Sequence, residues 1–315
     1  MELRVRLAAD PASVPGARRF VADGLAAWGR SALVDDATLC VSELAGNAAL
    51  HSASTFMEIA MRALDGAVRI SVEDDGVTPA EAVAPRPGWC TPDLELDEIS
   101  VEDEPTTGRG LAIVSILASD WGVEQLDFGK RVWAELSESG EEHQVRQPTT
   151  GTALAEQKSE VLPDGWALVR LLSCPVELSL RQDAHLDELV RELQLIEGDD
   201  GNPRSRAIAL ELGDILTGPA HARHTGRRIT QEAAEAGREF VDVEMAMPRE
   251  FSIEVRKLDA AVRAADELCE QMRLLTLASP ADLRALRTWM TESIVEQIEL
   301  GAEPVSWADW LSRRT

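Results

Sequence analysis

The sequence predicts an α+β domain followed by a mainly helical region. Residues 2–8 alternate between apolar and polar side chains, as a half-buried strand does. Asp65-Gly66 separates two further strand-like segments and is a strong hairpin turn. Beyond residue 163, apolar residues recur mainly at helical spacing. We therefore expect a largely antiparallel sheet with helices on one face, and then a helical domain.

The first 138 residues give the order strand, helix, helix, hairpin, helix, hairpin. Asp10-Pro11 leads into the first helix, and the second begins after Asp35 or Asp36, which are good N-cap residues. The predicted elements are a strand at 2–8, helices at 14–28 and 36–51, strands at 56–64 and 67–73, a helix at 110–119, and strands at 121–127 and 131–136. Prolines and acids crowd residues 77–107, which predicts a long loop, either a lid or disordered.

The second half of the chain follows a polar segment. Residues 139–162 hold few large apolar side chains and are predicted to link a domain at 1–138 to a helical domain at 163–315. Helices are expected at 176–196, 204–216, 221–239, 251–277 and 282–300, with a short strand at 241–247. In the fourth of these helices, apolar residues recur at steps of four and three. Such a stripe is usually core within one chain, and a homodimer interface is the alternative.

Composition excludes several classes of partner. The formal net charge of -25 repels phosphate backbones and anionic membranes, so we expect no direct nucleic-acid or membrane binding. The four cysteines lie far apart, which favours neither a zinc cluster nor a disulfide framework. The N-terminus lacks an apolar leader, and no segment reaches the ~18 apolar residues that a membrane span needs. A cytoplasmic location is therefore predicted.

Three polar residues recur every four positions in the predicted second helix. Glu43, Asn47 and His51 therefore share one helix face. The side-chain oxygen of Asn47 suits Mg²⁺, which usually takes one or two protein oxygens and completes its shell with phosphates and water. Glu43, one turn away, can take a proton from an attacking hydroxyl or water. Gly46 costs about 1 kcal/mol relative to alanine, which requires a reason such as close packing. An ordinary exposed helix face is the alternative interpretation.

Two further segments supply the remaining parts of a nucleotide site. Asp74 ends a strand before Gly76, so its carboxylate can accept the exocyclic amine of adenine while the glycine lets the backbone approach the ring. A glycine-rich turn then opens a helix, where free backbone N–H groups and the helix dipole can meet phosphate oxygens. The residues assigned to this turn are Thr107, Gly108, Arg109, Gly110 and Leu111. Each segment alone is common, and their order makes the signal specific.

In this order, residues 1–138 resemble the histidine-kinase-like (GHKL) ATPase domain of the gyrase, histidine kinase and mismatch-repair superfamily. They are most similar to the anti-sigma factor serine kinases of Gram-positive bacteria, on the additional strength of residues 15–20 and 130–136. The resemblance implies ATP and Mg²⁺ as cofactors, with Glu43 as catalytic base and Asn47 as magnesium ligand. It also implies Asp74 and Gly76 as adenine contacts. His51 closes the first motif, either at the nucleotide or as a helix cap.

The resemblance further implies a cytoplasmic regulator that phosphorylates a serine of an anti-anti-sigma factor and sequesters a sigma factor. A non-catalytic ATP sensor, acting through the helical region, and a scaffold with a decayed site are the alternatives. His185 faintly suggests a phosphoacceptor on a downstream helix, but a lone helical histidine is usually a surface residue. The acidic loop and the helical region both depart from a minimal anti-sigma kinase.

Overall fold

The computed structural model describes residues 1–76, 109–138, 147–153, 160–197, 220–271 and 276–314. The predicted acidic loop at 77–107 and the predicted helix at 204–216 lie outside these residues. The chain divides into an N-terminal unit, Met1–Asp164, and a C-terminal unit, Gly165–Thr315.

The N-terminal unit is built on a mixed sheet. Its strands in the described residues are β1 (Glu2–Ala8), β2 (Phe56–Ala63), β3 (Ala67–Asp74), β4 (Asp120–Gln125), β5 (Lys130–Ser137) and β6 (Thr149–Thr152). They lie in the order β1-β2-β3-β5-β4-β6, and all neighbours are antiparallel except β4 and β6. Gly66, at φ 71°, makes the predicted β2–β3 turn. The expected α+β fold with a mostly antiparallel sheet is confirmed.

In the described part of this unit, three α-helices cover the apolar face of the sheet. They are α1 (Val14–Ala27), α2 (Val34–His51) and α3 (Arg109–Leu117). Register aligns Val5 with Ile59 and Ile59 with Val72, so one buried row crosses the sheet. Burying each such side chain stabilises the fold by about 1.5–3 kcal/mol. Helix α1 packs on β1 and β2, α2 mainly on β3 and β5, and α3 on β4.

Both edges of the sheet are covered by residues beyond 138. Strand β6 runs parallel to β4 at one edge, and Val161 exchanges two backbone hydrogen bonds with Arg4 of β1 at the other, at 2.7 and 3.0 Å. A side chain at Gly122 of β4 would overlap the backbone oxygen of Thr149, so the close approach of β6 requires glycine there. Part of the segment expected to be a linker thus belongs to the sheet.

The C-terminal unit is mainly helical around a two-stranded antiparallel sheet. Its elements in the described residues are β7 (Trp166–Pro175), α4 (Val176–Glu197), α5 (Ala220–Glu235), β8 (Phe240–Pro248), α6 (Phe251–Glu270), α7 (Ala281–Leu300) and α8 (Trp307–Ser312). The strand expected at 241–247 is present as β8. Strand β7 was not predicted, because a short apolar run does not distinguish a strand from a buried helix. No helix in the described ranges is long and apolar enough to span a bilayer.

The apolar stripe of α6 is used inside the C-terminal unit. Phe251 packs in a core with Trp289 of α7, whereas Val262 and Ala265 pack in a second core with Leu189 of α4. All five side chains are buried. The stripe therefore supplies core packing, which is the more usual use of such a pattern.

Candidate functional site

Helix α2 brings the three predicted segments together. The carboxylate of Glu43 lies so close to Gly110, near the start of α3, that a side chain at Gly110 would overlap Oε2. Nine residues later, roughly 14 Å along the helix axis, the backbone oxygen of Ser52 similarly excludes a side chain at Gly76. One helix thus contacts the glycine turn near Glu43 and the Asp-x-Gly segment at its C-terminal end. An extended nucleoside triphosphate can bridge that distance.

The carboxylate of Glu43 has properties that suit a general base. Its side chain is half-buried and forms no hydrogen bond or ion pair with the residues that the structure describes. Burial raises the pKa of Glu43 above its ordinary value, which makes the carboxylate a better proton acceptor. A half-buried carboxylate is costly unless a partner or a ligand uses it, and the described residues supply no partner to Glu43.

Asn47 lies one turn further along the same face of α2. It too is half-buried and has no hydrogen-bond partner in the described part of the chain. No atom of the described residues outside α2 comes within 4 Å of a side chain built at Gly46, so packing against them does not explain this glycine. The side-chain oxygens of Glu43 and Asn47 are of the type that fits a magnesium-bound phosphate.

Asp74 lies at the end of β3 and is buried. The ammonium group of Lys130 donates to Oδ1 at 2.9 Å, and the backbone N–H of Gly76 donates to the same oxygen at 3.1 Å. Within the described residues, both hydrogen bonds end on Oδ1, which leaves Oδ2 for the amine of a ligand. Burial raises the pKa of Asp74 above its ordinary value, although Lys130 and the Gly76 N–H oppose that rise.

Lys130 is the site residue that the sequence analysis missed. It is buried at the start of β5, directly opposite Asp74 in the β3–β5 register. One sequence signal pointed to it, because the chain contains only three lysines and this one opens a strand that follows a glycine turn. Gly129 adopts φ 88°, and a side chain there would overlap the backbone of Asp74. The turn therefore requires glycine, and it places Lys130 beside Asp74.

The other predicted site residues fall into three groups. Arg109 begins α3, and Gly110 and Leu111 are buried in its first turn. His51 is exposed at the last residue of α2, two helical turns from Glu43. Thr107 and Gly108 lie outside the described residues. Glu43 thus lies against Gly110, and the C-terminal end of α2 lies against Gly76, two residues after Asp74. The name N-terminal cluster is used below for Glu43, Asn47 and Asp74.

Comparison with protein families identifies the region that carries this cluster. The family model of the histidine kinase-like ATPase domain matches residues 7–136. The N-terminal unit holds a histidine kinase-like ATPase domain. The match runs from β1 to β5 and contains every described residue of the predicted site. ATP binding follows as the property of a domain of this kind. A search of curated proteins found no match to the chain.

The C-terminal unit, outside the ATPase domain, contains a second polar cluster, called the C-terminal cluster and formed by His185, Asp266, Ser279 and Arg287. Nε2 of His185 lies 2.9 Å from Oγ of Ser279, and Arg287 donates to the same oxygen at 2.6 Å. The Ser279 N–H donates to Asp266 at 2.7 Å. All four residues are buried. The expectation that His185 is a surface residue was wrong, and its burial also separates it from any phosphoryl donor in solvent.

Burial and hydrogen bonding act in opposite directions on Asp266. Burial alone would raise its pKa, but His185, Ser279 and the charge of Arg287 outweigh burial and lower the pKa to about 2. Burial also lowers the pKa of Arg287, yet a guanidinium stays charged over the pH range in which proteins fold. The C-terminal cluster is therefore an ionised network that the chain itself stabilises.

The described ranges contain no group of three or more histidine, cysteine or acidic side chains able to hold a metal ion. Cys40, Cys174 and Cys269 are free and buried. Burial raises the pKa of Cys40 to about 12, with Asp36 and Glu43 adding to the rise, so its thiol is unsuited to nucleophilic chemistry.

Proposed function

We propose that the chain is an ATP-dependent regulator of the anti-sigma factor type, which phosphorylates a serine of an anti-anti-sigma partner and sequesters a sigma factor in the cytoplasm. The observation that carries the proposal is the carboxylate of Glu43, which has a raised pKa and no partner among the described residues and lies against Gly110 near the start of α3. That is where a helix N-terminus favours the terminal phosphates of a nucleotide. The kinase assignment also rests on the resemblance to anti-sigma factor kinases.

Each described residue of the site has a distinct task in this proposal. Glu43 orients a serine hydroxyl and accepts its proton. Asn47 offers its side-chain oxygen to Mg²⁺. Asp74 accepts the amine of adenine on Oδ2, while Lys130 keeps the carboxylate ionised and fixed in direction. Bound Mg-ATP supplies the phosphoryl group and the charge neutralisation that its transfer requires.

A non-catalytic ATP sensor is the second candidate. It is favoured by the size of the C-terminal unit, which spans Gly165–Thr315 and has its own cores outside the ATPase domain. In this case ATP controls how the chain binds a partner, and Glu43 contributes only to the shape and charge of the pocket.

The substitution Glu43→Gln separates the two candidates. It keeps the side-chain shape but removes the base, so a kinase should lose phosphotransfer by about 10²–10⁴-fold. The affinity for Mg-ATP, measured by calorimetry, should change by less than about threefold. Phosphotransfer is measured by mass spectrometry of an anti-anti-sigma protein incubated with the chain and Mg-ATP. Asp35→Asn, at an exposed acid in the first turn of α2, is the matched control.

The outcomes are distinct. Loss of phosphotransfer with retained ATP binding in Glu43→Gln, but not in Asp35→Asn, supports the kinase. ATP-dependent capture of the partner without phosphorylation, unchanged in Glu43→Gln, supports the sensor. Absence of calorimetric heat with both Mg-ATP and Mg-ADP contradicts both candidates.

A further inference from the structure

A large cavity in the C-terminal unit has no part in the proposed function. It offers about 170 Å³ to the centres of water-sized spheres. That space is more than ten times the roughly 10–15 Å³ that one water molecule needs. Side chains of β8 and of the four long helices α4, α5, α6 and α7 form its walls.

The walls are mainly apolar and adaptable. Met245 and Met247 lie two residues apart on β8 and so face the same side of the strand. Met290 of α7 joins them, and Leu258 and Val262 of α6 complete the apolar lining used in this argument. Methionine side chains are flexible and polarisable, so they can fit apolar bodies of different outline. The occupant is therefore expected to be mostly apolar.

Two buried polar atoms show that a pure hydrocarbon is not the best occupant. Gln182 of α4 and Arg287 of α7 both line the cavity and are 9% and 7% exposed. Oε1 of Gln182 and Nε of Arg287 have no hydrogen-bond partner among the described residues. Unpartnered buried polar atoms destabilise a fold. Each atom exposes less than 1 Å², so an occupant reaches them only when the two side chains turn toward the cavity; it would then remove that cost by donating to Gln182 and accepting from Arg287.

Among the described residues, the charges around the cavity balance. Arg227 pairs with Asp187 at 2.9 Å, and Arg287 faces Asp266 at 3.4 Å. Asp259 pairs with Arg263 at 2.8 Å. Counting the cavity walls and these partners gives equal numbers of each sign: Arg223, Arg227, Arg263 and Arg287 against Asp183, Asp187, Asp259 and Asp266. An ionic ligand would have to bring its charge into an apolar cavity without a counter-charge.

We propose that this cavity binds an uncharged, mainly apolar small molecule that carries an amide or a hydroxyl group. Either group both donates and accepts hydrogen bonds, as Gln182 and Arg287 require. A carboxylate only accepts, so it would leave Gln182 without a donor. A hydrocarbon would satisfy neither atom.

The test uses four compounds with the same ten-carbon chain and the full-length protein without nucleotide. Decanamide, decanol, decanoate and decane each compete with the fluorescent dye Nile red, which is itself uncharged and mainly apolar. The amide and the alcohol should displace the dye at concentrations at least about tenfold lower than decanoate or decane, since a site with buried polar atoms rejects ligands that leave them unpaired. Equal displacement by decane, or tighter binding of decanoate, would overturn the proposal.

Two variants assign the effect to this cavity. Gln182→Leu should weaken decanamide by about tenfold and leave decane unchanged. Glu188→Leu, the same apolar replacement at an exposed position of α4, is the control. Gly226→Leu should block all four compounds, because Gly226 lines the cavity and, among the described residues, a side chain there meets Val243 at 3.6 Å and can extend into the cavity. Absence of both dye fluorescence and a decanamide-dependent melting shift would also overturn the proposal, whatever the ATPase domain does.

Discussion

The two units each contain a cluster of buried or half-buried polar side chains, but the clusters differ in where their hydrogen bonds go. In the C-terminal cluster, Ser279 accepts from Arg287 and donates its N–H to Asp266. In the N-terminal cluster, Glu43 and Asn47 have no partner in the described residues. The charges of Asp266 and Arg287 are paired with each other, whereas the carboxylate of Glu43 has no counter-charge among the described residues.

This difference is a better guide to function than the residue types alone. Burial acts to raise the pKa of Glu43 and of Asp266 alike. The pKa of Glu43 does rise, whereas that of Asp266 falls to about 2. Partners within the chain cause the fall. A raised pKa in an acid without such partners is typical of a functional site that binds a ligand.

The largest effect is expected at Asp74, the member of the N-terminal cluster that already has a partner. Lys130→Met would leave a buried carboxylate unpaired and should lower the free energy of unfolding by about 3 kcal/mol, because the pair is almost fully buried, with side chains 6% and 2% exposed. Urea unfolding of the nucleotide-free protein measures this. Lys257→Met, at an exposed lysine paired with Glu254 at 3.1 Å, is the matched control.

The double variant Lys130→Met with Asp74→Asn sharpens that test. Removing both charges should cost less than the sum of the two single changes, because no unpaired buried ion remains. Additive losses would show that Lys130 and Asp74 act independently and that the contact between them is not the cause.

A smaller effect is expected in the C-terminal cluster. Asp266→Asn should lower the free energy of unfolding at pH 7 by about 2 kcal/mol, since the pKa of Asp266 is lowered from 3.8 to about 2. Hydrogen exchange of amides in α7 reports on this unit specifically. Asp282→Asn, at an exposed acid paired with Arg181, should change stability little.

The sign of the pH dependence follows from the direction of that shift. A lowered pKa in the folded state contributes stability above the unfolded pKa, and this stability is lost as the pH falls through the folded value. The difference between wild type and Asp266→Asn should therefore be constant above about pH 5 and shrink between about pH 4 and 2. A difference that grows on acidification would contradict the assignment of Asp266 as an ionised group.

The smallest effects distinguish two glycines near Glu43. A methyl group at Gly110 would displace the Glu43 carboxylate, so Gly110→Ala should reduce ATP turnover by about tenfold, or about 1.4 kcal/mol of transition-state stabilisation, and leave the fold intact. A methyl group at Gly46 meets no described atom outside α2, so Gly46→Ala should stabilise the nucleotide-free protein by up to about 1 kcal/mol. Phosphate release and urea unfolding measure the two outcomes. Full turnover in Gly110→Ala would mean that Glu43 is not the base.

Much of the ATPase domain could be predicted because its signals are local. The period-two strands, the Asp65-Gly66 turn and the spacing from Glu43 to Asn47 all depend on neighbouring residues. The structure adds that α2 contacts both other motifs, through Glu43 at Gly110 and through Ser52, just after its last residue, at Gly76. These contacts join residues far apart in sequence, and only the order of the motifs suggested them.

Other features could not be predicted because they depend on register or on packing between helices. Lys130 faces Asp74 only because β5 pairs with β3 in one register. The burial of His185 depends on Ser279, which lies 94 positions away. Strand β7 carries an apolar run that suits a strand or a buried helix equally well, and its pairing with β8 decides between them.

The covering of the sheet's edges by β6 and Val161 has a practical meaning for anyone who shortens this chain. The family match ends at residue 136, yet a fragment cut there would present the bare rims of β4 and β1, each with unsatisfied main-chain groups. Exposed rims of that kind recruit other strands, so such a fragment should self-associate. An excised ATPase domain that stays monomeric has to continue to about Asp164.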